Sequence, residues 1–310
     1  MTEKFYVIGH KSPDLDSIAS AICYAELKNI LENTDKYVPA AAEKINQATK
    51  FILDKFSIPV PKILTDAEGH NIILVDHNEF SQAVSGIEKA KIIEIIDHHK
   101  LNFQYNEPIT VDIKPFGACS SLIAQMYFDK NIEIKNEIAG LLLAAILDDT
   151  IITKSPTCTD IDRNVIDKLA KLSTVDDWRA LGLDIFKIKS SIKDFSEPQI
   201  IKNDFKDFLL KVGKFGIGQV EMVDLGEVDE RIEKLFEAMK NLHLKENYHS
   251  VILFFTDIIN EGSLFLVVSS DTAKVEEALG YKLKNNCAYI PGILSRKKQV
   301  APMLSKVFDV

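Results

Sequence analysis

Three short apolar runs in the first hundred residues each end on acidic or imidazole side chains. They cover residues 4–10, 71–79 and 90–99. Segments with helical spacing of apolar residues lie between them, and strands that alternate with helices predict parallel βαβ units. Ligands of open parallel sheets bind beyond the carboxyl ends of the strands. The N-terminal part is therefore predicted to be an α/β domain with polar residues gathered at one sheet edge.

Helical segments are expected between and after these strands. Ser17 is predicted to cap the helix that follows "GHKSPD", and further helices are expected at 40–56 and 120–130. The run "EIAGLLLAAILDDT" at 137–150 is predicted to be a buried helix that ends on two aspartates, the second of which is Asp149.

A chain of 310 residues exceeds one comfortable hydrophobic core, so two domains are expected. Apolar periodicity is lost in "KIKSSIKDFSEPQI", which predicts a first domain over 1–188, a linker over 189–197 and a second domain over 198–310. In the second domain we expect strands at 211–225, 250–258, 263–270 and 287–294, helices at 228–245 and 273–279, and a loop at 295–299. This pattern predicts a smaller mixed α/β domain.

Charge and composition argue against several classes of protein. A net charge of -9 makes broad binding to nucleic acid or anionic membranes unexpected. The apolar runs stay short of the ~20 residues that span a bilayer, and the N-terminus lacks a signal-peptide pattern. The four cysteines are scattered without a C-x-x-C pair, which fits a reducing cytoplasm. We therefore expect a cytoplasmic protein with no membrane or nucleic-acid partner.

Seven metal-ligand candidates lie at the ends of apolar elements in four separate segments. They are His10, Asp14, Asp16, Asp76, His98, His99 and Asp149. So many carboxylates would repel one another at close range unless cations lay between them. Mixed imidazole and carboxylate ligation suits Mn²⁺, and oxygen-rich positions also accept Mg²⁺. Because the donors over-supply one catalytic ion, we expect two ions roughly 3.5–4 Å apart that share a carboxylate and a water.

A basic run follows the last predicted strand of this acidic protein. Arg296, Lys297 and Lys298 taken alone are best explained as a solvated charged surface. However, a guanidinium binds phosphate through two parallel hydrogen bonds, and lysine supplies a point charge. A cleft with metal ions on one wall and these cations on the other would hold a compact polyanion.

The motifs together resemble the family II, DHH-type, manganese-dependent inorganic pyrophosphatases. The resemblance rests on "GHKSPDLDS", "ILVDHNEF", "IIDHHK", "AAILDDTIITKSPTCTD", "DFKDF" and "GILSRKKQV", which occur in this order between residues 5 and about 302. It implies an N-terminal parallel-sheet DHH phosphoesterase domain and a smaller C-terminal mixed α/β domain. The implied reaction is hydrolysis of pyrophosphate to two orthophosphates by a metal-bridged hydroxide at a binuclear centre in the interdomain cleft.

The resemblance also implies roles for individual residues. His10 and Asp14 would hold one Mn²⁺, Asp16, His98 and Asp149 would hold the other, and Asp76 would bridge both. His99, Lys206, Arg296 and Lys297 would bind the phosphate groups, with His99, Lys206 and Arg296 acting in catalysis. Co²⁺ is an alternative to Mn²⁺, and Mg²⁺ would arrive with the substrate. The expected assembly is a homodimer joined through the N-terminal domains.

A few positions depart from the commonest family pattern without removing a ligand. Ser12 stands where asparagine is usual, "PFGACSS" replaces "PVGCTAT", Asp148 adds an acid beside Asp149, and Lys100 follows the D-H-H triplet. These departures concern metal preference and rate more than activity itself.

Two other hypotheses remain open at this point. The first is a related DHH-superfamily phosphoesterase that acts on short polyphosphate or small nucleotides, although the "GGGH" element of such phosphodiesterases does not occur here. The second is a non-catalytic metal-bound sensor or regulator. Regulated relatives carry an insertion after the D-H-H strand for which this sequence has no room.

Overall fold

The computed structural model describes residues 3–309. The chain forms two compact units that divide between Ile185 and Phe186. The predicted linker at 189–197 covers the end of a helix that spans Trp178–Ser190 and the residues before the helix Glu197–Lys202.

The first unit is built on a six-stranded sheet. Its strands are β1 (Phe5–Ile8), β2 (Tyr37–Ala41), β3 (Lys62–Ile63), β4 (Asn71–Val75), β5 (Lys91–Asp97) and β6 (Thr110–Ile113). Its helices are α1 (Leu15–Glu32), α2 (Gln47–Lys55), α3 (Cys119–Asp129), α4 (Asn136–Asp149) and α5 (Asp160–Leu172), with a short 3₁₀ turn at Ile87–Lys89. The boundary between the units falls within α6 (Trp178–Ser190).

All five strand pairings in this sheet are parallel, in the order β3-β2-β1-β4-β5-β6. The predicted parallel α/β domain is confirmed. Strands β1, β4 and β5 are neighbours, and toward their carboxyl ends they carry buried apolar side chains, as expected for strands covered on both faces. Their carboxyl ends therefore lie side by side, and whatever follows them is brought together.

The helix predicted at 40–56 starts too early. Ala40 and Ala41 belong to β2, which pairs with β1, and α2 begins only at Gln47 after the cap residue Asn46. Alanine favours helix intrinsically, but pairing within the sheet outweighs that preference here.

The second unit contains a mixed five-stranded sheet in the order β11-β10-β9-β8-β7. Its strands are β7 (Phe205–Leu210), β8 (Gly213–Met222), β9 (Tyr248–Asp257), β10 (Gly262–Ser269) and β11 (Cys287–Pro291). Its helices are α7 (Glu197–Lys202), α8 (Gly226–Asp229), α9 (Ile232–Lys245), α10 (Thr272–Leu279) and α11 (Ala301–Phe308). Only β8 and β9 pair in parallel, so the mixed α/β prediction is confirmed.

The strand expected at 211–225 is confirmed as β8, whereas its antiparallel hairpin partner β7 was not expected from the sequence. One local prediction for this unit is wrong. The loop expected at 295–299 is a π-helical turn, Arg296–Val300, that leads into α11. Ser295 caps this turn by accepting a hydrogen bond from the Lys298 N–H at 3.2 Å.

Among the helices between residues 3 and 309, none combines the length and apolar character that crossing a lipid bilayer requires.

Candidate metal centre

Three histidine and aspartate side chains follow the adjacent ends of β1, β4 and β5. His10 comes two residues after β1, Asp76 directly follows β4, and His98 directly follows β5. Asp76 adopts a left-handed backbone conformation, with φ of 60°. Aspartate tolerates this conformation better than most residues, and such conformations are concentrated at functional sites.

Asp76 is shared by all three groups of possible metal ligands found among residues 3–309. One group consists of His10, Asp14 and Asp76, and another of Asp16, Asp76, His98 and Asp149; the third combines Asp76 with Asp97, His98 and His99. Within each group the ligand atoms lie within 4.8 Å of one another. The two carboxylate oxygens of Asp76 face different histidines, with Oδ2 3.4 Å from His10 Nε2 and Oδ1 3.2 Å from His98 Nε2. The six residues proposed from the sequence as metal ligands are thus brought together around one carboxylate.

Backbone contacts orient both histidines. His10 Nδ1 lies 2.7 Å from the Lys11 carbonyl, and His98 Nδ1 lies 3.1 Å from the Phe116 carbonyl. A carbonyl only accepts, so each Nδ1 donates and each Nε2 is the atom directed at the carboxylates. Metal-bound histidines are usually held in this way, with the second ring nitrogen donating to a carbonyl or carboxylate.

Helix ends supply the remaining carboxylates. Asp14, rather than the predicted Ser17, is the N-cap of α1, since its Oδ1 accepts the Ser17 N–H at 2.9 Å. Asp16 in the first turn is fully buried and accepts the N–H groups of Cys119 and Ser120 at 2.6 and 2.9 Å. Asp149 is the last residue of α4.

The electrostatics of these groups indicate that cations belong among them. Burial, reinforced by the charge of Asp76, raises the pKa of Asp16 to about 7. Burial, reinforced by the neighbouring carboxylates, also raises the pKa of Asp149. Burial disfavours charged imidazolium, but the surrounding carboxylates outweigh it and raise the pKa values of His10 and His98. A divalent cation between the carboxylates would relieve their mutual repulsion and keep them ionised.

Unsatisfied atoms point in the same direction. Asp76 Oδ1 and His98 Nε2 are buried and face each other, yet neither makes a hydrogen bond of acceptable geometry. Buried polar atoms without partners are rare in folded proteins and call for an explanation such as a bound ion. The nitrogen and oxygen donor set fits a divalent transition metal such as Mn²⁺.

His99 lies beside this centre and is held by Asp97, to which the sequence had assigned no role. Asp97 is fully buried, and its Oδ1 accepts His99 Nδ1 at 2.9 Å and the His98 N–H at 2.7 Å. Asn78 donates to Asp97 Oδ2 at 2.6 Å and to the Lys100 carbonyl at 3.0 Å, and it accepts the Asn102 N–H at 2.6 Å. Nε2 of the exposed His99 ring is therefore left free to face a ligand.

Comparisons with known proteins agree with this geometry. Residues 4–146 match the DHH family, N-terminal domain, and residues 183–307 match the DHHA2 domain. A manganese-dependent inorganic pyrophosphatase of Methanothrix thermoacetophila is 45% identical over 311 residues, 99% of each chain. The manganese-dependent inorganic pyrophosphatase of Bacillus subtilis is 38% identical over 306 residues, 98% of each chain.

A solved structure extends the match to the fold. A Methanococcus jannaschii protein assigned to the family II inorganic pyrophosphatases is 39% identical, covers 99% of this chain and 100% of its own, and superposes with a TM-score of 0.61. This chain belongs to the manganese-dependent, family II inorganic pyrophosphatases.

The cationic residues expected from the pyrophosphatase family lie in the second unit. Lys206 is exposed on β7, and Lys297 is exposed in the π-helical turn. Arg296 begins that turn, and its side chain is mostly buried against Asp204.

The structure shows the surroundings of the residues expected to depart from the pyrophosphatase pattern. Ser12 has φ of 50°, a conformation that asparagine tolerates, and donates its N–H to Glu43 Oε2 at 2.9 Å. Asp148 is buried on α4 and belongs to none of the ligand groups found among residues 3–309. Lys100 is exposed.

Proposed function

We propose that this protein hydrolyses inorganic pyrophosphate to two orthophosphates with a pair of divalent cations held around Asp76. The observation that carries the proposal is the position of Asp76 between two sets of ligand atoms, with a buried carboxylate oxygen that lacks a hydrogen bond. Names of relatives that are 38–45% identical over nearly the whole chain support pyrophosphate as substrate.

Six residues would hold the metal ions. His10 and Asp14 would bind one Mn²⁺, Asp16, His98 and Asp149 would bind the other, and Asp76 would bridge them. Bound divalent ions of this kind neutralise phosphoryl oxygens and lower the pKa of water, which makes a nucleophile available near neutral pH. Co²⁺ would serve in place of Mn²⁺, and Mg²⁺ would enter with pyrophosphate.

The chain's own cations would neutralise and orient the substrate. Lys206, Arg296 and Lys297 would bind phosphate oxygens, where they stabilise charge that spreads during phosphoryl transfer. His99 would donate a hydrogen bond from Nε2 to a phosphate and protonate the leaving group, because Asp97 accepts from Nδ1 and fixes the ring.

Phosphate release from pyrophosphate, tripolyphosphate and a dinucleotide, with Mg²⁺ alone and after Mn²⁺ preincubation, tests the proposal. We expect pyrophosphate to be strongly preferred and Mn²⁺ to activate. Preference for tripolyphosphate or the dinucleotide would assign the protein to another DHH phosphoesterase activity. Absence of hydrolysis with the metal bound would indicate a sensor.

Substitutions in the second unit test its proposed role in substrate binding. Lys206→Ala, Arg296→Ala and Lys297→Ala should lower turnover while Mn²⁺ content stays at the wild-type level. Asp54→Asn, which removes only an exposed ion pair with Lys50, is the matched control. Wild-type kinetics in all three variants would refute the assignment of the second unit to substrate binding.

We also propose a cytoplasmic homodimer joined through the N-terminal domains. Four free cysteines, two of them buried, are consistent with a reducing compartment. Light scattering at micromolar concentration should give twice the mass of 34.8 kDa; a mass of one chain would contradict the dimer.

A further inference from the structure

The guanidinium of Arg296 is held by a residue outside its own turn. Its Nη2 donates to Asp204 Oδ1 at 2.9 Å, and its Nη1 donates to the Asp204 carbonyl. The Arg296 side chain is only 11% exposed, whereas the Asp204 side chain is 53% exposed. The arginine is thus fixed in place by a carboxylate that is itself open to solvent.

Gln219 on β8 holds the backbone of the same turn. Its Oε1 accepts the Arg296 N–H at 3.0 Å, and its Nε2 donates to the Leu294 carbonyl at 3.0 Å. Nε2 also lies 3.1 Å from Thr256 Oγ1 on the neighbouring strand β9. The amide therefore ties the start of the π-helical turn to the centre of the sheet.

Asp204 and Gln219 are themselves joined. The Gln219 N–H donates to the Asp204 carbonyl at 3.0 Å, and this carbonyl also accepts from Arg296. We call these two residues the Arg296 clamp. Gln219 fixes the backbone position of Arg296, and Asp204 fixes the direction of its guanidinium.

We propose that Asp204 and Gln219 are positioning residues that aim the Arg296 guanidinium at a phosphate group of the substrate. This inference rests on the proposed role of Arg296 in pyrophosphate binding. Arginine has five N–H donors in a rigid plane, so the two directed at Asp204 leave three for phosphate oxygens. A side chain restrained beforehand loses less rotamer entropy when the substrate binds.

Stability and positioning are separable at Asp204. An ion pair whose carboxylate is half exposed contributes little to folding, so Asp204→Ala should fold normally. The effect on substrate binding should be larger than the effect on folding. Without the hydrogen bonds to Asp204, the charged guanidinium can turn away from the phosphate. We expect kcat/KM for pyrophosphate to fall about tenfold or more in Asp204→Ala and Gln219→Ala.

Conservative variants sharpen the test. Asp204→Asn keeps an oxygen that accepts from Nη2, so it should recover part of the kcat/KM lost in Asp204→Ala. Gln219→Glu keeps the acceptor for the Arg296 N–H but loses the donor to Leu294, so it should be impaired. Glu237→Ala, which changes an exposed acidic residue on α9 in the same unit, is the matched control and should behave as wild type.

The deciding experiment is a double-mutant cycle with Arg296→Ala, with kcat/KM and bound Mn²⁺ measured for each variant. If the clamp acts through Arg296, Asp204→Ala and Gln219→Ala should cost less than twofold in the Arg296→Ala background, and Mn²⁺ content should not change. Full additivity of the losses would overturn the clamp while leaving the proposed function intact. A raised kcat/KM in Asp204→Ala would also overturn it, because the carboxylate would then compete with phosphate. If Arg296→Ala itself has wild-type kinetics, the proposed role of Arg296 fails, and the clamp fails with it.

Discussion

The buried network around Asp97 gives a prediction whose size follows from its contacts. Asp97 accepts four hydrogen bonds: from the N–H groups of His98 and His99 at 2.7 and 3.2 Å, from His99 Nδ1 at 2.9 Å and from Asn78 Nδ2 at 2.6 Å. Asp97→Asn keeps the shape but replaces one oxygen by an NH₂ group. That group would face the NH₂ group of Asn78, which cannot turn because it also bonds Lys100 and Asn102.

The expected cost is about 3 kcal/mol of unfolding free energy. A buried donor left without an acceptor costs roughly 1–3 kcal/mol, and the remaining bonds weaken by about half when their acceptor becomes neutral. For a unit of this size the melting temperature should fall by roughly 6–12 °C. Turnover should fall as well, because His99 loses the carboxylate that orients it.

The pH dependence has a definite sign. Burial raises the pKa of Asp97, but hydrogen bonds from His99 and Asn78 outweigh it, and the net pKa is lowered. The stabilisation by Asp97 is therefore present above the usual aspartate pKa of about 3.9 and is lost as the pH falls through the folded value. The stability difference between wild type and Asp97→Asn should narrow below about pH 4.

Thermal and urea unfolding with and without Mn²⁺ measure these effects. Asp54→Asn is the control and should stay within about 0.5 kcal/mol of wild type. Wild-type melting temperature and turnover in Asp97→Asn would refute the reasoning.

Three further outcomes are expected. Gly140→Ala places a Cβ 2.2 Å from Cε1 of the buried Phe56 ring, so it should cost about 1–3 kcal/mol; an unchanged melting temperature would argue against this packing. Ile151 is exposed with φ of 49°. Asparagine relieves about 1 kcal/mol of strain there, so Ile151→Asn should raise the melting temperature, and a fall would contradict it. Because the pKa values of His10 and His98 are raised, Mn²⁺ must displace protons when it binds. Calorimetry in buffers of different ionisation enthalpy should therefore show proton release, and the affinity for Mn²⁺ should rise with pH. Binding without proton release would be inconsistent with histidine ligation.

Local pattern was sufficient for the elements that build the metal centre. Strands β1, β4 and β5 are short apolar runs, and three of the ligands proposed from the sequence, His10, Asp76 and His98, follow their ends. The pattern failed where two local solutions compete. "DLDS" offers two capping residues three positions apart, and only the structure distinguishes Asp14 from Ser17.

Contacts between distant segments could not be read from the sequence. Gln219 meets Arg296 across 77 positions and Asp204 meets it across 92, and neither carries a motif that would indicate this. Asp97 stands in the D-H-H triplet, but its hydrogen bonds to Asn78 and His99 depend on how the ends of β4 and β5 are folded. Residues that hold others in place become visible only with the three-dimensional structure.

A crystal structure of the Mn²⁺-bound protein, with the ions located in an anomalous difference map, tests the central claim most directly. We predict two Mn²⁺ peaks per chain roughly 3.5–4 Å apart, with one beside His10 and Asp14, the other beside His98 and Asp149, and Asp76 in contact with both. A single ion, or two ions of which only one touches Asp76, would contradict the account.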